Sequence, residues 1–224
     1  MNYNNSALNG SKVLTIIIQI LLCIIFAIVI VGLIQQYLFS PIQIAGASMM
    51  PTLKESGDKV YILKNVNKLE YYDMIIFFRP NNPDLDESDN PANKKVSLSE
   101  FLNNLPIIGK HHVAEEESTS DFTCVIKRII GLPGDTIMIE DGKLYRKAAG
   151  SSETEQINDF IMDAEYFKDT VETITMGEEE YFVLGDNRNN SYDSEDYGPI
   201  KANWIYGKVV LISSGGKLRL AEST

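Results

Sequence analysis

The dominant feature of the hydropathy pattern is an apolar run from Val13 to Ile34, 22 residues in which Thr15 and Gln19 are the mildly polar interruptions. As a helix it spans about 33 Å, enough for a hydrocarbon core of about 30 Å, with its backbone polar groups satisfied internally. Tyr37 and Phe39 follow where an interfacial aromatic belt sits. A cleaved leader has an apolar region of only about 7–15 residues and a small-residue cleavage site. The stretch IQQYLFSP does not resemble such a site, and a buried core helix is the remaining alternative. The pattern therefore predicts an uncleaved transmembrane anchor over 13–34, between a short segment 1–12 and a domain 35–224.

Beyond Pro41 the pattern changes to short β-branched and aromatic runs. Asp58–Lys64, Tyr72–Phe78, Phe122–Ile130, Asp135–Glu140, Lys143–Lys147, Glu180–Asp186 and Lys208–Ser213 read as strands. The turn signals SGD, LPGD, EDGK and SSGGK separate them, and Asp141-Gly142 is a two-residue hairpin signal. Seven short strands with little helix predict a mostly β domain of antiparallel sheets. Two polar stretches fall outside the pattern and read as insertions, at about 79–121 and 148–177. The first frames a helix-like Ser97–Leu105, and the second holds an apolar patch around Phe160–Phe167.

Charge sharpens the division. Lys12 is the only formal charge before Lys54, and the rest of the chain carries 19 basic against 31 acidic residues. Positive-inside logic places the N-terminus in the cytoplasm and the acidic domain outside, off the anionic cytoplasmic leaflet, at the plasma membrane. A broad nucleic-acid footprint needs the opposite sign. Two cysteines, Cys23 and Cys124, are too few for a disulfide framework and read as free thiols.

Three stretches carry candidate chemistry. In IQIAGASMMPTL, Ile42–Leu53, Ser48 sits among small residues that allow close backbone approach, and Pro51 limits local helix. In IKRIIGLPGD, Ile126–Asp135, Lys127 and Arg128 are adjacent on an apolar strand, so one faces inward and the other outward. A free lysine is neutral in only about one molecule in 2500 at pH 7, but desolvation brings an inward one toward a usable general base. The third is the polar loop GDNRNNSYDSEDYG, Gly185–Gly198. Taken singly, each has a bland reading: a serine in a Gly/Ala loop, a snorkelling edge lysine and a solvated turn.

Together, in this order, the three resemble the type I signal peptidases, membrane-bound serine proteases that remove signal peptides. The family patterns SMxPTL, KRxxGxPGD and GDNRxxSxDS match Ser48–Leu53, Lys127–Asp135 and Gly185–Ser194. The resemblance implies an antiparallel β catalytic domain with Ser48 as nucleophile and Lys127 as general base, needing no histidine and no cofactor or metal. It further implies that Ser191 orients the lysine and that Arg188 and Asp193 form a structural ion pair. Substrate would lie extended beside Ile42–Ala45 and Phe122–Ile126, with Ile42, Ile44, Met49 and Ile126 lining shallow pockets for small side chains. The partners implied are membrane-inserted preproteins with small residues before the cut, and the lipid bilayer. Ser48 lies 14 residues beyond Ile34, a distance that holds the nucleophile near the membrane surface.

Two positions depart from the family pattern. Gly46 stands where some members have a serine that helps form the oxyanion hole, which leaves backbone N–H groups for that task. Glu195 stands where the family usually has arginine, so Arg188 gains an acidic neighbour. Other constellations are weaker. His111-His112 lack a third ligand at metal spacing. The acidic runs DLDESD, Glu115–Glu117 and Glu178–Glu180 lack a calcium loop, and Arg188 argues against an Asp186/Asp193 acid dyad. Two other functions compete: a non-cleaving accessory or narrow-specificity member for pilus-type surface proteins, and a self-cleaving repressor with a Ser–Lys dyad. The repressor would need a DNA-binding domain where this chain has its apolar segment.

Overall fold

The computed structural model describes residues 5–37, 39–54, 56–64, 66, 68–82, 84–85, 87–93, 121–157 and 170–221. His111-His112, Ser97–Leu105, Glu115–Glu117 and Phe160–Phe167 lie outside them. The chain divides into a helical unit and a β unit that begins at Phe39. Helix α1, Asn5–Tyr37, runs 33 residues, and its segment Gly10–Ile34 has a mean hydropathy of 3.3. That segment is long and apolar enough to cross a membrane. Most of its large side chains from Val13 to Ile34 are exposed, as a lipid-facing helix requires and a soluble core helix does not.

The β unit contains β1 (Phe39–Ala45), β2 (Ser56–Leu63), β3 (Met74–Pro80), β4 (Phe122–Gly131), β5 (Thr136–Glu140) and β6 (Lys143–Lys147). It continues with β7 (Glu155–Ile157), β8 (Thr170–Thr175), β9 (Glu180–Leu184), β10 (Ile200–Lys201), β11 (Ile205–Ser214) and β12 (Lys217–Leu220). Among the described residues the larger sheet has the order β1-β2-β11-β3-β4-β9-β10, with β12 also against β11, and the smaller has the order β7-β6-β5-β8. Each pairing is antiparallel. All seven strands expected from the pattern are present. The 148–177 stretch, expected to be irregular, supplies β7 and β8 to the smaller sheet. These are short or polar edge strands, whose backbone pairing leaves no apolar alternation to read.

The continuous run Met74–Phe77 is buried on both faces of its strand. Met74 and Ile76 join Ile42, Ile44, Val60 and Ile62 in one core cluster, while Ile75 and Phe77 join Ile129, Val183 and Ile200 in another. A third cluster, with Ile137, Ile139, Leu144 and Phe182, seats the smaller sheet. Asp141 and Gly142, at φ 50° and 68°, both adopt the left-handed conformation that a two-residue type I′ hairpin between β5 and β6 requires. At the opposite end of β5, buried Asp135 closes the LPGD turn by accepting hydrogen bonds from Leu132 N–H (2.9 Å), Ala149 N–H (2.8 Å) and the Tyr71 hydroxyl.

Candidate active site

Ser48 lies just past β1, in a loop pinned from below. Met49 and Leu53 are fully buried in the same core cluster as Ile42 and Ile44. Met50 N–H donates to Ala47 O (3.1 Å) and Leu53 N–H to Met49 O (2.9 Å), and the Met50–Pro51 peptide is cis. Gly46, at φ 108°, turns the chain out of β1 in a conformation that strains any side chain. The missing hydroxyl at this position therefore has a backbone reason.

Lys127 lies on β4 opposite Ile75. Against the expectation that one of the neighbouring cations faces outward, Lys127 is 3% and Arg128 1% exposed. The alternation of a strand still holds, but both faces of β4 are covered, so each charge is buried. Arg128 is neutralised by Asp186 through Nε to Oδ1 (2.8 Å) and Nη2 to Oδ2 (2.6 Å), while Nη1 donates to Tyr72 O (2.8 Å). This bidentate geometry is what makes a buried pair tolerable.

The ion pair also joins the motifs. Asp186 is followed by Asn187, whose N–H donates to Ser48 O (2.9 Å) and whose side-chain amide donates to Ala47 O (3.0 Å). A short relay thus runs from Lys127 through its neighbour Arg128 to Asp186, and on through Asn187 to the Ser48 loop. Arg128, Asp186 and Asn187 carry positioning roles that residue type alone did not assign. The signal was present, since each sits inside a quoted motif and Arg128 adjoins Lys127.

The third motif is anchored by Asp193. Its carboxylate accepts from Gly185 N–H (3.0 Å) and pairs with Arg188 (2.5 Å), and Asp193 caps α2, Ser194–Tyr197, in a reciprocal capping box. Arg188 also contacts Glu195, and all three side chains are buried. Glu195 therefore supplies a second carboxylate where the family pattern has a cation. Asp186 and Asp193 each have their own arginine, which is the arrangement of two structural pairs. Tyr197 packs beside this network, where burial first and the Asp193 charge second raise its hydroxyl pKa well above the ordinary value.

Ser191 Oγ is buried and makes no hydrogen bond, to Lys127 or to any other described residue. It lies against Gly185 Cα: a Cβ on Gly185 would collide with Ser191 Oγ and come within 2.6 Å of Ser48 O. Gly185→Ala is therefore expected to displace the Ser48 loop, costing about 1–3 kcal/mol of stability and about 10²-fold in turnover. Turnover equal to wild type, with the melting temperature measured alongside, would contradict this packing.

Ser48 and Lys127 open onto one groove of about 340 Å³, which Ile42, Ile44 and Ile126 also line. Met49 is not among the lining residues; it supports the loop from the core. The walls of the groove are strand edges. β1 pairs only with β2, and β4 pairs with β9 only from Arg128 to Gly131, so among the described residues β1 and the 122–127 part of β4 each keep one free edge. Among the described residues the Ser48 N–H also has no partner.

The family model for Signal peptidase, peptidase S26, matches residues 17–214. Signal peptidase I of Bacillus caldolyticus is 32% identical over 198 residues, covering 82% of this chain and 84% of that protein. Probable thylakoidal processing peptidase 2, chloroplastic, of Arabidopsis thaliana is 30% identical over 191 residues. That match covers 82% of this chain but only 40% of the plant protein. A solved signal peptidase I structure from Enterococcus faecalis V583 is similar at 23% identity and a TM-score of 0.37, over 64% of this chain and 98% of that one.

Proposed function

This chain belongs to the signal peptidase family, peptidase S26, and from that membership we propose that it is a membrane-anchored serine endopeptidase removing signal peptides from secreted preproteins. The observation that carries the reading is the shared groove, in which Ser48 and Lys127 meet two free strand edges. An extended peptide added to either edge gains main-chain hydrogen bonds, and the apolar side chains of Ile42, Ile44 and Ile126 fit small residues before the cut. Helix α1 holds the domain at the plasma membrane, with the N-terminus cytoplasmic and the β unit outside.

In this mechanism Ser48 Oγ attacks the scissile carbonyl while the neutral Lys127 amine takes its proton. Lys127 is 3% exposed, and it acts as a base only through its neutral amine. The Ser48 N–H receives the oxyanion of the tetrahedral intermediate. Collapse breaks the C–N bond, and the Lys127 ammonium returns the proton to the departing amine of the mature protein. Water, deprotonated by Lys127, then hydrolyses the Ser48 ester and frees the signal peptide. Ser191 supports Lys127 as this site tightens around substrate, a change expected of catalytic hydrogen bonds that are loose without substrate.

The test is incubation of the detergent-solubilised full chain with a preprotein carrying an A-x-A site. Cleavage after the second alanine is expected, and no cleavage by folded protein counts against the reading. Ser191→Ala is expected to lower kcat by about 10²-fold or less without abolishing turnover, the low end of what positioned proton transfer contributes. A rate equal to wild type would remove Ser191 from the account.

A further inference from the structure

The groove has a second basic side chain besides Lys127. Arg79, near the end of β3, lines it together with Thr123, Asn190 and Tyr192. Its guanidinium carbon lies 5.1 Å from the Tyr192 ring centroid and 5.2 Å from that of Tyr197. The two rings meet edge to face with centroids 5.4 Å apart. They form an aromatic corner fixed from behind, because Tyr192 is bonded to the fully buried Asp193 and Tyr197 ends the helix that Asp193 caps. Such a corner holds an arginine by its faces and leaves its N–H edge to bind elsewhere.

Among the described residues no carboxylate pairs with Arg79. This sets it apart from Arg128, Arg146 and Arg188, each of which pairs with at least one, while Arg219 donates to the Thr52 carbonyl instead. The contrast is sharp in a chain with 31 acidic and 20 basic residues. Arg79 pairs across the sheet with Thr123, four residues before Lys127 on β4, or about 13 Å along the strand. A peptide extended on the free edge of β4, with the residues next to its cut near Ile126 and Lys127, presents a residue some four to six positions before the cut at this corner.

We propose that Arg79, held by Tyr192 and Tyr197, is a specificity-determining subsite that reads a carboxylate side chain four to six residues before the cleavage site. This rests on the peptidase reading above and extends it from small residues at the cut to charge farther along the peptide. Tyr192, at 58% exposure, offers its free face to the same stretch of substrate.

The experiment uses the solubilised full chain and a preprotein series carrying Glu, Gln or Lys singly at positions four, five and six before the cut. The readout is the kcat/KM ratio of the Glu to the Gln preprotein at each position, so a general loss of activity in a variant cancels. Wild type is expected to favour Glu about fivefold at one position, the size of a partly exposed ion pair, and to disfavour Lys there. Arg79→Gln is expected to bring the ratio to about one, and Arg79→Glu to invert the preference toward Lys. Tyr192→Leu, which keeps the cation but removes one aromatic wall, is expected to reduce the ratio without inverting it. Efficient cleavage of the whole series with no charge preference in wild type overturns the subsite and leaves the peptidase reading standing. So does a preference that Arg79→Glu leaves unchanged. Absence of cleavage across the series overturns the peptidase reading and this inference with it.

Discussion

Lys127→Ala is expected to reduce preprotein cleavage at least about 10³-fold, to the level left when a general base is removed from a serine protease. Among the described residues lining the groove, no other side chain is an amine, an imidazole or a carboxylate. The groove's other basic side chain is an arginine, which does not lose its proton in a protein. Lys127→Arg sharpens the test, because it keeps a cation of similar length while removing the base. It too is expected to be inactive, whereas a merely structural charge would tolerate the exchange better. Melting temperatures measured beside the rates separate loss of the base from loss of the fold.

Arg128→Met is expected to be the most destabilising of the conservative-volume substitutions near the site. It leaves the Asp186 carboxylate buried with its bidentate partner gone, which costs about 3–5 kcal/mol. For a domain of this size that corresponds to roughly 6–20 °C in melting temperature. Turnover should fall as well, because Asp186 holds the segment from which Asn187 grips the Ser48 loop. Changing both partners, Arg128→Met with Asp186→Leu, removes the stranded charge and is expected to recover part of the melting temperature without restoring full turnover. A single variant as stable as wild type would show that the pair is not the clamp described here.

The expected strands were legible wherever burial is one-sided or complete. Met74–Phe77 is a continuous apolar run because both its faces are covered, and Asp141-Gly142 specifies its hairpin through backbone conformation alone. β7, β8, β10 and β12 were not legible. They are two to six residues long, mostly polar or exposed, and held by partner strands rather than by their own pattern. At the site, the motifs brought Ser48, Lys127 and the 185–198 loop into view. Strand alternation alone misjudged the surroundings of Lys127 and Arg128, since it gives opposite faces but cannot say whether both are buried. The Arg128–Asp186 pair, 58 residues apart in sequence, needed three-dimensional structure to be seen. Glu195 was legible as a partner of Arg188 because the pairing is local, seven residues apart between the 185–193 loop and the first turn of the helix that follows it. Met49 was expected at the pocket wall, and the structure places it in the core beneath the Ser48 loop, a distinction that adjacency to Ser48 does not resolve.

The central claim is that Ser48 is the nucleophile, and the most direct measurement compares wild type with Ser48→Ala on one A-x-A preprotein in the same detergent. The released mature N-terminus is read by mass spectrometry, and matched melting temperatures confirm the fold. The account predicts a single cut after the second alanine in wild type and no product above background in Ser48→Ala. Product with the same N-terminus from the folded variant would contradict it.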